Sequence, residues 1–475
     1  MTQQTTTSPE RDTARLTREE SAARGRAART AVPRASHAEL GAGPGRADPV
    51  ALLEGQGLSR VPELLPIRYG RMASSAFAYF RGAALPMAGD LARTPRSGFM
   101  VQTCGDAHLA NFGLFASPER NLVFSINDFD ETLPGPWEWD VKRLAASLEV
   151  AGRSRNYPTK DRRRILRATV CSYRRAMREF AGMDALGVWY AHVAMSRVAA
   201  LTTGRLTGPQ RKVMARTAAK ARTKDNLGAL ARFATVEDGE PRLRAEPPVI
   251  VPLRDLVGSD AERQAVEQRL RTLLDVYAES LPPERRVLLD RYRLVDMARK
   301  VVGVGSVGTR GWMLLLLDGG GNPLFLQVKE AGPSVLEAFV GGSEYDNCGQ
   351  RVVVGQRLMQ AVSDIFLGWV RAVGLDGQPH DYYVRQLRDW KGSAEVESMA
   401  PAGMQAYGEV CGWTLARAHA RSGDRVAVSA YLGGGPSFDE AICEFAEAYA
   451  DQNERDHRRL LDAIRSGRIV AETGV

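Results

Sequence analysis

The chain has 475 residues, of which 44% are hydrophobic and 25% are charged, and its formal net charge is +8. This length and apolar content predict a globular protein with a large core divided among two or three structural units. Its five cysteines are odd in number, far apart and without a CxxC pair, which argues against a disulfide framework or a zinc site.

The basic charge suits an anionic partner such as a nucleotide, although most of the arginines are expected to lie on solvated helical faces. Nucleic-acid binding is not predicted, because charge alone supports it and no recognised binding module occurs. The N-terminus has no apolar signal segment, and the longest aliphatic run, residues 313–317, is too short to cross a bilayer. A cytoplasmic protein without membrane contact is therefore expected.

The first 47 residues are rich in Thr, Ser, Ala, Arg, Gly and Pro and contain few large apolar side chains. Such a composition cannot offset the entropy of ordering, so residues 1–47 are predicted to be a disordered basic tail. From residue 48 an apolar periodicity predicts short helices. Arg71 and Arg81 in these helices are candidates for phosphate contact or for an interface between elements.

Two acidic loops flank a predicted strand in the segment 101–130, which reads VQTCGDAHLANFGLFASPERNLVFSINDFD. The first loop carries Asp106, His108 and Asn111, and the second carries Asp128 and Asp130. Carboxylates at loop edges are accessible to water, metal or substrate. This segment is the candidate catalytic centre.

A Pro-Gly-Pro turn follows the second acidic loop, and apolar residues then recur at helical spacing from Val141 to Leu148. Asp140 precedes this run, so we predict that it is the N-cap of a helix behind the acidic loops. Residues 48–290 as a whole are predicted to form a helical large lobe that carries the catalytic and metal loops.

The clearest β-rich segment is 294–329, within the β-rich residues 291–392, and it is predicted as three strands joined by two glycine turns. Gly303, Gly305 and Gly308 make a G-x-G-x-x-G pattern with Ser306 inside it. The pattern leads into a strand rather than a helix, which favours a kinase phosphate loop over a dinucleotide-binding turn. Lys329, on the next strand but one, is where a phosphate-neutralising lysine is expected.

Phosphoryl transfer needs a carboxylate near the acceptor and oxygen ligands for Mg²⁺. Asp106 and Asn111 are five residues apart, as are the base and the metal ligand of the kinase catalytic loop, and Asp128 begins D-F-D where kinases have D-F-G. The glutamate that usually pairs with the lysine is not assigned; Glu337 and Glu344 are the candidates.

The motifs CGDAHLAN, INDFDE and GPWEWDVKRLAAS resemble those of the aminoglycoside phosphotransferase and choline kinase branch of the protein-kinase-like fold. The resemblance implies ATP and Mg²⁺ as cofactors and an unidentified acceptor as the partner substrate. It implies that Asp106 is the catalytic base, that Asn111 and Asp128 bind metal, and that His108 and Asp140 brace the loop. We group His108 with Asp106 in the catalytic set and Asp130 with the metal ligands. A cysteine, Cys104, replaces the first histidine of that family's motif.

Almost the whole chain after residue 47 also resembles an uncharacterised bacterial family, domain of unknown function 2252. The segments that carry this resemblance are RYGRM, GDAHLANFG, NDFDETLPGPWEWDVKRLAAS, KVVGVGSVGTRG and VRQLRDWKGS. That family name implies no activity, so the function depends on the site residues.

In ordinary kinases the glycine loop precedes the catalytic loop, whereas here Asp106 comes about two hundred residues before Gly303. A circular permutation reconciles this order with the motifs. The predicted fold is therefore α+β, a permuted two-lobed kinase-like fold in which residues 291–392 form the nucleotide lobe. The helical residues 393–475 are then expected to complete the large lobe.

Three other interpretations remain open at this point. The run VFSINDFDET matches the motif of haloacid-dehalogenase-type phosphatases, with Asp128 as nucleophile and Asp130 as acid or base. A nucleotide-binding pseudokinase keeps the fold without transfer chemistry. Finally, any single acid serves a purely structural role if it only caps a helix or turn.

Overall fold

The structure is a computed structural model that describes residues 16–41, 43, 45–194, 198, 208–259, 268, 272–301 and 303–474. Helix accounts for 52% and strand for 17% of it, which confirms the predicted α+β class. No helix in these residues is both long enough and apolar enough to span a bilayer. The α-helices among these residues are α1 Arg18–Ala31, α2 Pro49–Gly57, α3 Leu65–Ala73, α4 Ala76–Gly82, α5 Ala84–Leu91, α6 Trp137–Ser154, α7 Thr159–Gly182, α8 Ala185–Tyr190, α9 Gly208–Arg222, α10 Asn226–Phe233, residues 272–279, α11 Pro283–Leu289, α12 Glu337–Val340, α13 Cys348–Met359, α14 Pro401–Ser422, α15 Arg425–Leu432 and α16 Ser437–Arg465.

The strands form one large sheet and three small ones. The six-stranded sheet has the order β12-β13-β11-β10-β9-β8, a four-stranded sheet has the order β14-β2-β3-β5, and the pairs β1-β4 and β6-β7 stand alone. The strands are β1 Met100–Thr103, β2 Phe112–Ala116, β3 Leu122–Ile126, β4 Leu133–Pro136, β5 Val193–Ala194, β6 Ala234–Glu237, β7 Glu240–Leu243, β8 Ile250–Pro252, β9 Tyr292–Lys300, β10 Gly311–Asp318, β11 Pro323–Ala331, β12 Gly368–Val373, β13 Pro379–Gln386 and β14 Gly392–Ser393.

The largest core lies among long helices, where α7 packs along α14. Two glycines of α14, Gly408 and Gly412, face Thr169 of α7, and a Cβ at either would lie 2.3 or 2.4 Å from an atom of Thr169. The glycines therefore permit a close approach that no larger side chain would allow. Helix α6 is buried from Trp137 to Gly152, because it contacts α7, α14 and α16 at once.

Both faces of the six-stranded sheet are covered. Leu314 and Leu316 of β10 point into one apolar cluster, whereas Met313, Leu315 and Leu317 point into another on the opposite face. This explains the uninterrupted aliphatic run, because side chains alternate between faces and a strand buried on both sides needs apolar residues at every position. The three strands predicted between residues 294 and 329 are confirmed as β9, β10 and β11.

The sheet reaches beyond the β-rich segment that the sequence delimits. Its edge strand β8 and the helical residues 272–279 and α11, which pack on it, all come from the predicted helical lobe. Strand β8 has only three residues, Ile250–Pro252, and two prolines precede it. Three residues are too few to show the alternation of side chains that predicts a strand.

The predicted disordered tail is wrong for much of its length. Thr17 and Glu20 form a capping box at the start of α1, which packs against α15. The contact is close because Gly25 has no side chain: a Cβ there would lie 2.2 Å from the carbonyl oxygen of Ala427. Small residues make this contact, so the segment has no apolar stripe that would signal a helix in the sequence. Residues 1–15, 42 and 44 of the tail lie outside the described residues.

Candidate active site

The first acidic loop follows β1 and depends on a glycine in the left-handed region. Gly105 has φ 79°, and a Cβ there would lie 2.2 Å from the carbonyl oxygen of Glu131. The backbone N–H groups of Cys104 and Gly105 donate to the carboxylate of Asp140 at 2.6 and 3.0 Å. A buried carboxylate on a neighbouring helix thus determines the conformation of the loop that presents Asp106.

Asp140 is not the N-cap that the sequence predicts. Helix α6 begins at Trp137 with Pro136 as its cap residue, so Asp140 lies in the first turn and its carboxylate is free to accept from the loop. His419 Nε2 lies 3.1 Å from the same carboxylate, and the His419 ring in turn contacts the Tyr173 hydroxyl at 2.9 Å. These contacts agree with the bracing role that the family resemblance implies for Asp140.

Asp106 is paired with an arginine that the sequence did not single out. Arg143 of α6 lies 2.7 Å from Asp106 Oδ1 and also donates to the carbonyl of Phe80 at 2.8 Å. His108 Nε2 lies 3.7 Å from Asp106 Oδ2. Burial, together with the charges of Arg143 and Arg81, lowers the pKa of His108 to about 4, so its imidazole is neutral at pH 7.

Asn111 joins the two acidic loops. Its Nδ2 donates to the carbonyl of Asp106 at 2.8 Å, and its own carbonyl accepts from the N–H of Asn127 at 2.8 Å. No hydrogen bond from a described residue reaches Asn111 Oδ1. Asn111 and Asp128 both line one cavity, where this amide oxygen has no protein donor among the described residues.

Lys329 lies between the two carboxylates of the second loop. Its Nζ is 2.7 Å from Asp130 Oδ2 and 3.6 Å from Asp128 Oδ1, and Lys329 itself is 2% exposed. Burial alone would lower the pKa of Lys329, but the two carboxylates outweigh it and raise that pKa above its ordinary value. Lys329 is accordingly a buried cation at neutral pH.

The two aspartates differ in their remaining contacts. Asp130 accepts from the Tyr383 hydroxyl at 2.6 Å through Oδ1 and from Ser306 Oγ at 3.3 Å through Oδ2, so both its oxygens have protein donors. Asp128 is 32% exposed toward the cavity. Burial raises the pKa of Asp128, but the charges of Lys329 and Arg385 outweigh it, and the pKa lies below its usual value. Asp128 is therefore the ionised carboxylate with oxygen atoms available to a ligand.

The glycine loop is anchored through its carbonyl groups. Gly303 and Gly308 have φ 62° and 89°, which explains the need for glycine at both positions. The carbonyls of Gly303 and Gly305 accept from Arg71 and Arg60 at 2.9 Å, and that of Gly308 accepts from the N–H of Val61 at 2.8 Å. Within the described residues, the N–H groups of residues 303–308 donate no hydrogen bond, which leaves them free for an anion.

Neither candidate glutamate pairs with Lys329. Glu337 accepts from the N–H of Ser334 at 2.9 Å, and Glu344 contacts Tyr345. Helix α13, which follows the lysine strand, instead contributes Arg351. The Arg351 guanidinium is buried and donates to three carbonyls, those of Asp130 (2.8 Å), Thr132 (2.6 Å) and Gly332 (2.8 Å).

The site residues lie in a region that is shared with a known protein family. The profile of the family described as an uncharacterized protein conserved in bacteria, DUF2252, matches residues 60–463. The chain belongs to the DUF2252 family. No curated protein and no solved structure matches it significantly. The two acidic loops, the glycine loop and Lys329 all lie within the matched region of this DUF2252 protein.

One cavity of about 730 Å³ collects most of the predicted site residues of the DUF2252 protein. Its lining includes Asp106, His108, Asn111, Asp128, Asp130, Gly303, Gly305 and Ser306. Gly308 and Lys329 do not line it, but Lys329 contacts Asp128 and Asp130, which do. Sequence reasoning missed Arg143, Arg351, Tyr383 and Glu131. Only Glu131 had a local signal, since it directly follows D-F-D; the others come from distant helices and strands.

Glu131 is a further acid in the wall of this cavity. Its Oε2 accepts from the N–H of Val335 at 2.7 Å. Burial raises the pKa of Glu131 to about 7, and the charges of Asp106 and Asp130 add to that effect against the opposing charge of Arg351. Glu131 thus changes its charge near neutral pH.

We expect the free energy of unfolding to fall less in the Glu131→Gln variant than in the wild type when the pH is raised from about 5 to about 8. The folded protein holds the Glu131 proton more tightly than the unfolded chain does, so this contribution is full below about pH 4.5 and is lost as the pH rises through about 7. The difference should be on the order of 1–2 kcal/mol in urea unfolding at the two pH values. Parallel losses in both proteins would contradict the assignment.

Proposed function

We propose that this DUF2252 protein is a Mg²⁺- and ATP-dependent phosphotransferase with a circularly permuted, two-lobed kinase-like fold. The observation that carries the proposal is the position of Lys329, 3.6 Å from Asp128 and 2.7 Å from Asp130, beside the glycine loop. These groups are separated by about two hundred residues in the chain, and phosphoryl transfer is the chemistry that requires all of them together.

The phosphates of ATP would lie between Lys329 and the glycine loop. The buried ammonium neutralises phosphate charge, and the unused N–H groups of residues 303–308 donate to phosphate oxygens. In this proposal Asp130 is the partner that orients Lys329, the role that a glutamate has in most kinases. Its two protein-bonded oxygens fit that role better than the metal-binding role predicted from the sequence.

Asp128 and Asn111 are the proposed Mg²⁺ ligands. Asp128 is ionised and partly exposed, and Asn111 Oδ1 lacks a hydrogen bond, so both fit a hard cation that prefers oxygen. In the described residues no three His, Cys, Asp or Glu side chains are arranged to hold a metal, and Mg²⁺ held by substrate phosphates and water needs no such set. The ion would neutralise charge on the phosphate oxygens.

Asp106 is the proposed base for the acceptor. The acceptor hydroxyl oxygen bonds to the γ-phosphorus while the bond from that phosphorus to its bridging oxygen breaks, ADP leaves with the electron pair, and the hydroxyl proton passes to Asp106. Arg143 holds Oδ1, so Oδ2 is the oxygen that receives the proton. The neutral His108 beside Oδ2 adds no charge that would oppose this role.

The permuted order finds support in one contact between distant segments. In the phosphotransferases that the motifs resemble, a helix leads straight into the catalytic loop. Here the N–H of Gln102 in β1 donates to Ser422 Oγ at the end of α14, at 2.9 Å. The end of that helix thus adjoins the strand that leads into Asp106, as expected if the ancestral link has been cut and the termini relocated.

The phosphatase interpretation finds less support. Its motif belongs at the end of a strand in alternating strand and helix units, which give parallel strands. Strand β3, which precedes Asp128, pairs antiparallel with both β2 and β5. In addition, Asp130 is bound to Lys329 and Tyr383 and is poorly placed to exchange a proton with a leaving group.

The test is a ligand-dependent thermal stability measurement on the full chain. Mg-ATP at a hundred times its dissociation constant should stabilise the wild type by about 2.7 kcal/mol, and ATP with EDTA should stabilise it much less. Slow conversion of ATP to ADP would separate a phosphotransferase from a nucleotide-binding pseudokinase. The absence of any shift with Mg-ATP would refute the proposal.

A further inference from the structure

The cavity has a second wall that the proposed chemistry does not use. Beyond the acids and the glycine loop it is lined by three arginines from the N-terminal helices and their connection: Arg60, Arg68 and Arg81. In the part of the chain that the structure describes, none of the three lies within ion-pair distance of a carboxylate. We call this set the arginine cluster.

The arginine cluster is incompletely satisfied by the protein. Arg68 is 1% exposed, its terminal nitrogens reach only neutral oxygens such as Gln56 Oε1 at 3.1 Å, and its Nε has no partner. Burial and the charge of Arg60 lower the pKa of Arg68 to about 9. The Nε of Arg81 is likewise buried without a partner, and no described residue accepts a hydrogen bond from this side chain.

The carboxylates around the cavity do not compensate this charge, because they already have cations. Asp106 is bound to Arg143, and Asp128 and Asp130 share Lys329. Two further lining carboxylates are also paired, Glu330 with Arg310 and Asp381 with Arg371. Glu131 Oε2 accepts from the N–H of Val335 at 2.7 Å. Arg68 is buried, and Arg60 and Arg81 are half-buried. Cations that are removed from water without counter-ions are costly, so a cluster of this kind indicates an anionic ligand.

We propose that the arginine cluster binds a phosphate group carried by the acceptor, so that the substrate class is a small phosphorylated molecule with a free hydroxyl. This inference rests on the proposed function for the reaction itself. Guanidinium groups suit the purpose because their planar forks bind phosphate through paired hydrogen bonds, and the two negative charges of a phosphomonoester match several cations.

The position of Arg81 favours the acceptor over the nucleotide. Arg81 lies in the last turn of helix α4, and its neighbour Phe80 accepts from Arg143, the same residue that holds Asp106. The charge of Arg81 also acts directly on His108, beside Asp106 Oδ2. Arg81 therefore lies on the side of the cavity where the acceptor hydroxyl would meet Asp106.

The experiment is a calorimetric titration of orthophosphate into the full chain saturated with Mg²⁺ and AMP-PNP, an ATP analogue that already fills the γ-phosphate position. Orthophosphate should bind the wild type, and Arg81→Gln should weaken that binding about tenfold or more with AMP-PNP affinity unchanged. Arg81→Lys keeps the charge and should bind orthophosphate more tightly than Arg81→Gln. Because Arg81 donates to no described residue, Arg81→Gln should fold normally, which its melting temperature would verify.

The matched control is Arg458→Gln, which removes the same charge from an exposed position on α16. It should leave orthophosphate binding unchanged. Orthophosphate binding that is absent, or equal in wild type and Arg81→Gln, would overturn the inference, and so would a loss of AMP-PNP affinity in Arg81→Gln. If AMP-PNP fails to bind at all, Arg81-dependent binding of orthophosphate to the free protein would still support the anion site while the kinase proposal fails.

Discussion

The Asp128→Asn variant is expected to lose the Mg²⁺ dependence of nucleotide binding and to lower turnover by roughly 10²–10³-fold. Asparagine preserves the shape of Asp128 but removes the negative charge that the proposed Mg²⁺ would require, while Asp130 remains paired with Lys329. The measurement is the dissociation constant of AMP-PNP with Mg²⁺ and with EDTA. In the wild type the two values should differ by tenfold or more; in the variant they should converge.

Asp130→Asn is the matched control for this prediction. Asp130 gives its oxygens to Lys329, Tyr383 and Ser306, so its replacement should weaken nucleotide binding yet preserve the difference between Mg²⁺ and EDTA. If Asp130→Asn abolishes the Mg²⁺ dependence and Asp128→Asn does not, the two roles must be exchanged. Equal loss in both variants would instead indicate that both aspartates bind the metal.

The Lys329→Met variant is expected to show the largest loss of stability, about 2–3 kcal/mol in urea unfolding. Methionine fills most of the space but leaves Asp128 and Asp130 close together without a cation. This loss of stability is at the low end for a broken buried ion pair, because both aspartates are about a third exposed and water screens their charges. Lys160→Met, at an exposed helical position, should be nearly neutral.

The effect of Lys329→Met should also depend on pH. In the wild type the lowered pKa of Asp128 contributes stability above about pH 3.8, and this contribution is lost as the pH falls through the folded value. The variant lacks that contribution, so the gap between the two proteins should narrow in acid. A double variant that adds Asp130→Asn should recover part of the loss, and strict additivity would contradict a direct interaction.

Arg351 connects the two halves of the site, the second acidic loop and the strand that carries Lys329. This buried side chain bonds the backbone on both sides, at Asp130 and Thr132 after the second acidic loop and at Gly332 after the lysine strand. Arg351 thereby links the second acidic loop to the lysine strand through backbone carbonyls, and Asp130 is the carboxylate that pairs with Lys329. Lysine and partner thus come from opposite halves of the chain.

Local patterns predicted most of the elements around the site. Alternation and glycine turns predicted β9, β10 and β11, and apolar spacing predicted α6. The same reasoning missed α1, whose contacts use glycine and alanine, and β8, which has three residues. It also misplaced Asp140 at a helix cap, because a carboxylate near a helix start satisfies the capping pattern whether it binds its own helix or another loop.

The sequence alone determined which residue types and spacings are present: the two acidic loops, the glycine loop and Lys329. Each of these patterns spans few residues, so it can be recognised in the sequence without knowledge of the tertiary structure. Only the tertiary structure decided their partners, since Asp130 meets Lys329 from 199 positions away in the chain and Arg143 meets Asp106 from a separate helix. Ion pairs and unpaired charges depend on which surfaces pack together, and no local pattern contains that information. The uncompensated arginine cluster, and with it the proposed phosphorylated acceptor, follows from this packing.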